Sequence, residues 1–230
     1  MSDQIKVELQ DTMGTDRSIA EAAWTSSYEY EKKKNRDDDD VSRVVNMLAD
    51  LRHSVPFESV VFRFWIKMPI ATDRQFMTHR LQSASGLSGR YRTMPSEWLN
   101  IPNDVHEILD KLGELGKHMR EAYKQSCSTA NALYSADISV CKIERDCGNI
   151  SEKEFKRLRE FYRGILPQHN MTERVSIMNL RAFGNFQYLR NSEHAQPEIR
   201  QIAKLMLKQV EDANICPIAI EALKRNGWKI

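Results

Sequence analysis

The segment Val60–Tyr91 reads VVFRFWIKMPIATDRQFMTHRLQSASGLSGRY, and it carries the strongest structural signals in the chain. Apolar and polar side chains alternate through Val60–Met68, which is the two-residue period of a strand with one buried face. Pro69 is expected to end that strand, because proline cannot donate to a sheet ladder. The next residues, Arg74–Leu81, predict a helix, and the run of small residues from Ser83 predicts a loop.

This predicted loop combines flexible backbone with hydroxyl groups and cations. Gly86 and Gly89 permit unusual dihedral angles and let a ligand approach the main chain closely. The surrounding hydroxyl and basic side chains are those of Ser83, Ser85, Ser88, Arg74, His79, Arg80 and Arg90. Bare N–H groups beside guanidinium donors suit a phosphate-bearing ligand. The alternative is a solvated turn after a basic helix end, since the helix dipole alone favours cations there.

Helices are predicted on both sides of this segment. Ile5–Gln10 alternates in polarity and predicts a further strand, and Asp16 is expected to cap the helix that follows it. The remaining helices are predicted at Val41–Leu51, from Asn103 to about Ala136, from Ser151 to Arg163, at Met178–Leu189, at Ile199–Val210 and after Pro217. The sequence therefore predicts an α+β fold, an antiparallel sheet with long helices, in a single domain over residues 1–230.

Composition places the chain among ordinary globular proteins. Of its 230 residues 41% are hydrophobic and 29% charged, and 34 basic residues nearly balance 32 acidic ones. A net charge of +2 gives no field for nucleic acid, so we expect no nucleic-acid partner. There is no apolar run of membrane-spanning length and no signal peptide, so we expect a cytoplasmic protein without a membrane partner.

The charged and sulfur-containing residues predict no metal site. The run Lys32–Asp40 is most simply a solvated loop, although its consecutive aspartates leave a bound cation as an alternative. The four cysteines are Cys127, Cys141, Cys147 and Cys216, and they lack the paired spacing of a zinc or redox site. We expect them to be reduced and mostly buried.

Several blocks of this sequence resemble the flavin-dependent (alternative) thymidylate synthases. The central block is Thr78-His79-Arg80, seven residues, then Ser88-x-Arg90-Tyr91. The family has Arg-His-Arg, seven residues and Ser at this place. The upstream block, similar to the family's H-x-T-P-F-E-H, is His53-x-x-Pro56-Phe57-Glu58. The downstream blocks are Arg163-x-x-Leu166-Pro167, Asn179-x-Arg181-x-x-x-Asn185-Phe186 and Leu189-Arg190-x-x-x-His194-Ala195-Gln196. Together they span nearly the whole chain.

The resemblance implies a methyltransferase that acts at C5 of a pyrimidine nucleoside monophosphate, as in the conversion of dUMP to dTMP. Methylenetetrahydrofolate would supply the carbon, and FAD reduced by NADPH would supply the hydride. The resemblance also implies a homotetramer with active sites at subunit interfaces. No enzyme nucleophile attacks the pyrimidine in this family, and Cys216-Pro217 here reverses the Pro-Cys order of conventional thymidylate synthases.

The resemblance also assigns site residues. Those implied to bind the nucleotide are Gln75, Ser88, Gly89, Arg90, Arg163 and Arg190. Those implied to bind the flavin are Ser26, His53, Glu58, Thr78, His79, Arg80, Asn179, Arg181, Asn185 and His194. Arg190 is the expected catalytic residue, because a cation near the pyrimidine carbonyl stabilises the charge that develops as C5 attacks the carbon donor. The alternative for Asn179, Arg181 and Asn185 is the solvated face of a helix.

Four departures from the family pattern bear on the substrate. Thr78 replaces the first arginine of the signature, Ser85-Gly86 replaces Asn-Glu, Val55 replaces threonine and Pro197 replaces an aromatic residue. Gly86 opens space and removes a negative charge beside the implied nucleotide. We therefore expect a nucleotide other than, or besides, dUMP. UMP, as in relatives of nucleoside-antibiotic synthesis, a cytosine nucleotide and a hydroxymethyl product all remain open, as does a flavin- and nucleotide-binding protein without catalysis.

Overall fold

The computed structural model describes residues 2–26 and 36–228. In these residues it has helices and a four-stranded antiparallel sheet, which confirms the α+β class. The strands are β1 (Lys6–Met13), β2 (Val61–Pro69), β3 (Ser83–Gly86) and β4 (Met171–Asn179), in the sheet order β1-β2-β4-β3. The helices are α1 (Asp16–Trp24), α2 (Asp38–Asp50), α3 (Ile70–Phe76), α4 (Asn103–Asp110), α5 (Glu114–Asp146), α6 (Glu152–Tyr162), α7 (Leu180–Arg190), α8 (Pro197–Ala213) and α9 (Pro217–Arg225). Short 3-10 turns lie at Val55–Ser59 and Arg163–Ile165.

The chain divides into two compact units. The first unit comprises Met1–Gln4, Lys67–Arg74 and Gly86–Glu173. The second unit comprises Ile5–Ile66, Gln75–Ser85 and Arg174–Ile230. The expectation of one domain over residues 1–230 stays a prediction.

Strand β2 confirms the strongest prediction from the sequence. Phe62, Phe64 and Ile66 are fully buried on one face, as the alternating pattern requires. The Phe62 ring meets Phe183 of α7 edge-on at 5.3 Å between centroids, and the Phe64 ring stacks on it at 6.2 Å. The Leu180 N–H at the start of α7 donates to the Val60 carbonyl at 2.8 Å. These contacts place α7, which carries several candidate site residues, against the strand.

Strand β4 was missed by the sequence prediction because its buried face is mostly polar. Thr172, Arg174 and Ser176 are buried, whereas Ile177 on the opposite face is 40% exposed. The apolar alternation that marks an ordinary half-buried strand is therefore inverted here. Buried polar side chains require partners, and the Ser176 hydroxyl donates to Gln82 Oε1 at 2.5 Å.

Helix α3 lies earlier in the sequence than the predicted helix Arg74–Leu81, which is wrong in both bounds. It covers Ile70–Phe76, and the Gln82 side-chain amide donates to the carbonyls of Phe76 and His79 at 3.2 and 2.8 Å. Because the Gln82 amide satisfies these carbonyls, the helix ends at Phe76 and residues 78–80 form a loop. The loop predicted from Ser83 is also wrong in part, because Ser83–Gly86 forms the edge strand β3.

The helical region predicted from Asn103 to Ala136 is two helices, and the second continues to Asp146. The break is at Gly113, whose φ of 54° lies in the left-handed region. Gly116 then passes so close to α4 that a Cβ there would lie 1.8 Å from the Leu109 carbonyl oxygen. Only glycine permits this crossing of α4 and α5.

Helix α5 anchors the core of the first unit. Its Tyr134 is fully buried with Met94, Ile138 and Leu166, and the Tyr134 hydroxyl accepts the Met94 N–H at 3.0 Å. In the same unit, Ser151 and Glu154 form a capping box at the start of α6. The last turn of α6 carries Arg159 and Glu160.

Asp16 does not cap its own helix, which corrects the prediction. Thr15 is the N-cap of α1. The Asp16 carboxylate instead accepts the N–H groups of Ile218 and Ala219, at 3.1 and 2.8 Å, in the first turn of α9. Burial raises the pKa of this carboxyl. The side chain therefore ties the N-terminal part of the second unit to its C-terminal helix.

The acidic run begins a helix, so the predicted loop is wrong where the structure describes it. Asp37 caps α2 by accepting the Asp40 N–H at 2.8 Å, and Asp38–Asp40 form the first turn. Acidic residues stabilise that end of the helix dipole. The earlier part of the run, up to residue 35, lies outside the described residues.

The cysteines agree with the prediction that they are reduced and mostly buried. All four cysteines are free; Cys127, Cys141 and Cys216 are buried, and Cys147 is exposed. Among the helices of residues 2–26 and 36–228, none combines the length and apolar character that crossing a bilayer requires.

Candidate functional site

A cavity of about 310 Å³ lies in the second unit between the loop at residues 78–82 and helix α7. Its polar lining consists of Thr78, His79, Arg80, Gln82, Asn185 and Arg190, and its apolar lining of Leu81, Met178, Ala182, Phe186 and Leu189. An apolar wall with a few convergent polar groups is typical of small-molecule sites. Five of the residues that the resemblance assigns therefore meet here: Thr78, His79, Arg80, Asn185 and Arg190.

Arg190, at the end of α7, is held by two side chains of the loop. Its Nε donates to His79 Nε2 at 2.8 Å, and its NH2 group donates to Thr78 Oγ1 at 3.3 Å. Because Nε2 accepts a hydrogen bond, the His79 proton lies on Nδ1. Burial, and then the nearby Arg190 charge, lowers the pKa of His79 to about 4. His79 is therefore a neutral imidazole at physiological pH.

The charge of Arg190 is not balanced by a carboxylate within the described part of the chain. Both of its observed partners are neutral acceptors. The His79 ring also packs edge-on against Phe186 at 4.9 Å between centroids. A cation in a partly apolar cavity, without a compensating anion, is suited to stabilise negative charge on a ligand.

The Ser88–Arg90 loop forms a separate cluster in the first unit. The Ser88 carbonyl accepts the Tyr91 N–H at 3.1 Å, and Ser88 Oγ accepts the Arg90 N–H at 3.3 Å. Gly89 is buried, and a Cβ there would lie 2.9 Å from Arg163 Cδ and 3.2 Å from the Met94 side chain. The glycine thus allows the Arg163 side chain to lie directly against this loop. The cluster unites four assigned residues: Ser88, Gly89, Arg90 and Arg163.

Helix α6 supplies two further residues to this cluster that the sequence analysis missed. Arg90 Nε donates to Glu160 Oε1 at 2.6 Å, and the pair raises the pKa of Arg90 and lowers that of Glu160. The Arg159 guanidinium donates to the Arg90 carbonyl. Arg159 and Glu160 precede Arg163 by four and three residues, so they share its helical face. That spacing is the signal that would have identified them.

Two polar atoms in these regions are buried without a hydrogen-bond partner among residues 2–26 and 36–228. They are Gln75 Oε1 and Arg159 Nε. Buried polar groups are almost always satisfied, so each such atom is a candidate for a ligand contact. Gln75, which the resemblance assigns to the nucleotide, retains an acceptor for a donor from outside the chain.

The other assigned residues lie outside the cavity lining. Glu58 and Arg181 pair with each other at 2.7 Å, both about 40% exposed. Asn179 caps α7 by accepting the Ala182 N–H at 2.8 Å. Ser26, His53 and His194 are exposed, and the Ser26 hydroxyl donates to the Ala23 carbonyl at 3.0 Å. Their assignment to a flavin stays a prediction.

Comparison with a solved structure defines the class of fold. The chain superposes on the UMP/dUMP methylase PolB from Streptomyces cacaoi, bound with 5-Br dUMP, with a TM-score of 0.71 and 25% identity. The match covers 99% of this chain and 97% of that one. The α+β architecture described above is therefore that of a nucleotide methylase.

Sequence comparison shows the family. Residues 8–218 match the family model "Thymidylate synthase complementing protein". The flavin-dependent thymidylate synthase of Pseudothermotoga lettingae is 31% identical over 97% of this chain and 91% of its own length. That of Thermotoga neapolitana is 31% identical over 97% and 92%, respectively. The chain belongs to the thymidylate synthase complementing protein family and is a methyltransferase of the flavin-dependent thymidylate synthase type.

Proposed function

We propose that this enzyme methylates C5 of UMP or dUMP, with methylenetetrahydrofolate as carbon donor and FAD reduced by NADPH as hydride donor. The observation that carries the proposal is Arg190, a cation held in the cavity by the neutral acceptors Thr78 and His79. The match to a methylase named for both nucleotides supports the inclusion of UMP. The proposal implies that the protein acts in the cytoplasm, where such small metabolites are available.

Arg190 is the proposed catalytic residue. C5 of the pyrimidine first attacks the one-carbon donor and then loses its proton. Because C5 is bonded to a ring carbonyl carbon, negative charge develops on that carbonyl oxygen as the proton leaves. A pre-oriented guanidinium stabilises that charge more than it stabilises the ground state, and removing one such donor typically costs about 10²–10³-fold in rate. No protein nucleophile is needed for the preceding attack, because C5 of the pyrimidine ring is itself the nucleophile.

The cavity also suits a flavin. Met178 and Leu189 provide an apolar wall for a planar ring, Asn185 offers an amide, and Arg80 offers a cation for a phosphate. A bound flavin supplies the hydride that completes the methyl group. These cavity residues would bind and orient the flavin, and the neutral His79 would donate a hydrogen bond to it from Nδ1.

The Ser88–Arg90 loop suits the nucleotide phosphate. It combines backbone N–H groups and a serine hydroxyl with the guanidinium groups of Arg90 and Arg163. Arg90 uses Nε for Glu160, which leaves the NH1/NH2 end of its guanidinium for a phosphate oxygen pair. A planar guanidinium can bind two phosphate oxygens at once, which gives a geometric specificity that the lysine ammonium group lacks.

We propose the homotetramer that the resemblance implies on the basis of an exposed stripe on α5. Leu115, Leu133 and Val140 are 59%, 55% and 56% exposed. Residues on the same face recur at alternating steps of four and three: Leu115, Met119, Ala122, Ser126, Thr129, Leu133, Ala136, Val140 and Ile143. This spacing is typical of a helix that packs along another helix, and we propose a second copy of this chain as the partner. Light scattering of the purified protein tests this, and a strictly monomeric mass would contradict it.

The function is tested with the purified protein in two stages. The visible spectrum is recorded first, and bound flavin that bleaches on addition of NADPH is the expected result. UMP, dUMP and dCMP are then each supplied with methylenetetrahydrofolate, and mass spectrometry distinguishes methyl from hydroxymethyl products. Methylated UMP or dUMP is expected. Nucleotide binding and flavin reduction without product from any of the three would instead identify a binding protein without catalysis.

A further inference from the structure

We propose that Thr78 is the positioning residue that aims Arg190 in this enzyme. We further infer that an arginine at this position, which the family signature carries, would impair nucleotide binding here. The inference rests on the proposed function, because it takes Arg190 to contact the nucleotide. It concerns a residue at which this chain departs from its family.

The direction of each hydrogen bond at Thr78 is determined by its neighbours. The Thr78 hydroxyl donates its single hydrogen to the Gln75 carbonyl at 2.8 Å. Its lone pairs are therefore available to accept from the Arg190 NH2 group at 3.3 Å. Because the Gln75 carbonyl belongs to the end of α3, the acceptor has a fixed direction.

His79 and Thr78 together hold one edge of the Arg190 guanidinium. The hydrogen bonds to these two residues come from Nε and NH2, which lie on the same side of the planar group. Contacts at two points of one edge fix the plane of the guanidinium. In the described residues NH1 has no hydrogen-bond partner, so the opposite end is free to donate to a ligand.

An arginine at position 78 would reverse these interactions. A guanidinium has donors and no acceptor, so it cannot replace the hydroxyl as a partner of Arg190. It would also place a like charge within hydrogen-bond distance of a side chain that is bonded to neutral groups alone. Like charges at such a distance repel, and the more mobile side chain moves. Arg190 would then leave the edge that His79 defines.

The test compares substitutions that separate the hydroxyl from the shape of the side chain. Thr78→Ser keeps the hydroxyl, Thr78→Val keeps the shape, and Thr78→Arg restores the family residue. Thr12→Val in β1 is the matched control, since the Thr12 hydroxyl makes no hydrogen bond with the described residues. Affinity for UMP and dUMP is measured by calorimetry on flavin-loaded protein. We expect Thr78→Ser to bind like wild type, Thr78→Val roughly 3–10-fold more weakly, and Thr78→Arg at least about tenfold more weakly.

A double-mutant cycle separates positioning from a general structural effect. If Thr78 acts through Arg190, then Thr78→Val has no further effect on affinity in an Arg190→Ala background. An effect of the same size in both backgrounds overturns the proposal. So does a Thr78→Arg protein that binds the nucleotide as tightly as wild type.

A ligand-free measurement tests the inference even if the proposed function fails. The NMR signal of the Arg190 Nε–H should be protected from solvent exchange in wild type and Thr78→Ser, and unprotected in Thr78→Arg. A wild type that binds neither nucleotide would contradict the proposed function. Equal protection in wild type and Thr78→Arg would contradict the role of Thr78.

Discussion

The substitution Gly89→Ala tests the proposal that the Ser88–Arg90 loop binds the nucleotide phosphate. The added Cβ would lie 2.9 Å from Arg163 Cδ, so the Arg163 side chain must withdraw by about half an ångström to reach the 3.4 Å of an ordinary contact. Both neighbours, Arg163 and Met94, are flexible side chains, so the overpacking should cost only about 1 kcal/mol of unfolding free energy. The backbone at Gly89 is not in the left-handed region, so no strain is added.

The effect on ligand binding should be larger than the effect on stability. Loss of one charge-assisted hydrogen bond from Arg163 costs about 1.5–3 kcal/mol, which corresponds to roughly 10–100-fold weaker binding. Calorimetry with UMP and dUMP measures the affinity, and urea denaturation measures the stability. Gly164→Ala is the matched control, because a Cβ at the adjacent Gly164 meets nothing within 4 Å. Wild-type affinity in Gly89→Ala would refute the placement of Arg163 on the phosphate.

Substitutions at three further positions test other parts of the molecule. Glu160→Gln keeps an acceptor for Arg90 but removes a negative charge from beside the Ser88–Arg90 loop. We therefore expect roughly two- to fivefold tighter nucleotide binding by calorimetry. Weaker binding would show that the charge of Glu160 is needed to hold Arg90 in place. Because the pKa of His79 is lowered in the folded protein, the unfolded chain binds a proton first as the pH falls. The free energy of unfolding should therefore decrease as the pH is lowered from 6.5, the ordinary pKa, to about 4. Urea denaturation across that window should show a smaller fall for His79→Asn, and an equal fall would contradict this origin. Asp16→Ala removes the acceptor of two N–H groups at the start of α9 and should cost about 2–3 kcal/mol of unfolding free energy, with Asp16→Asn losing less. A loss under about 0.5 kcal/mol in Asp16→Ala would contradict the capping role.

The sequence predictions succeeded where a structural element is determined by its own local pattern and failed where it depends on residues of distant segments. Strand β2 was predicted correctly because its buried face is apolar at every second residue from Phe62 to Met68. Strand β4 was not predicted because Thr172, Arg174 and Ser176 occupy its buried face. Their burial depends on partners from other segments, such as Gln82, and a local pattern contains no information about such partners.

The same distinction holds for the candidate site. The family signature lies within one short segment, so the sequence alone predicts its loop residues Thr78, His79 and Arg90 as site candidates. The helix bounds around them were wrong, since the end of α3 is set by the Gln82 amide rather than by propensity. The partner of Arg90, Glu160, is 70 residues away and became visible only in the folded chain.

Tritium release from C5 of labelled UMP and dUMP tests the central claim most directly. The reaction contains flavin-loaded enzyme, methylenetetrahydrofolate and NADPH. Wild type is compared with the Arg190→Ala variant, whose circular dichroism spectrum must match that of wild type to show that it is folded. We expect wild type to release tritium from at least one nucleotide, and Arg190→Ala to do so about 10²–10³-fold more slowly. No release by wild type, or equal rates in the two proteins, would contradict the proposal that Arg190 drives methylation at C5.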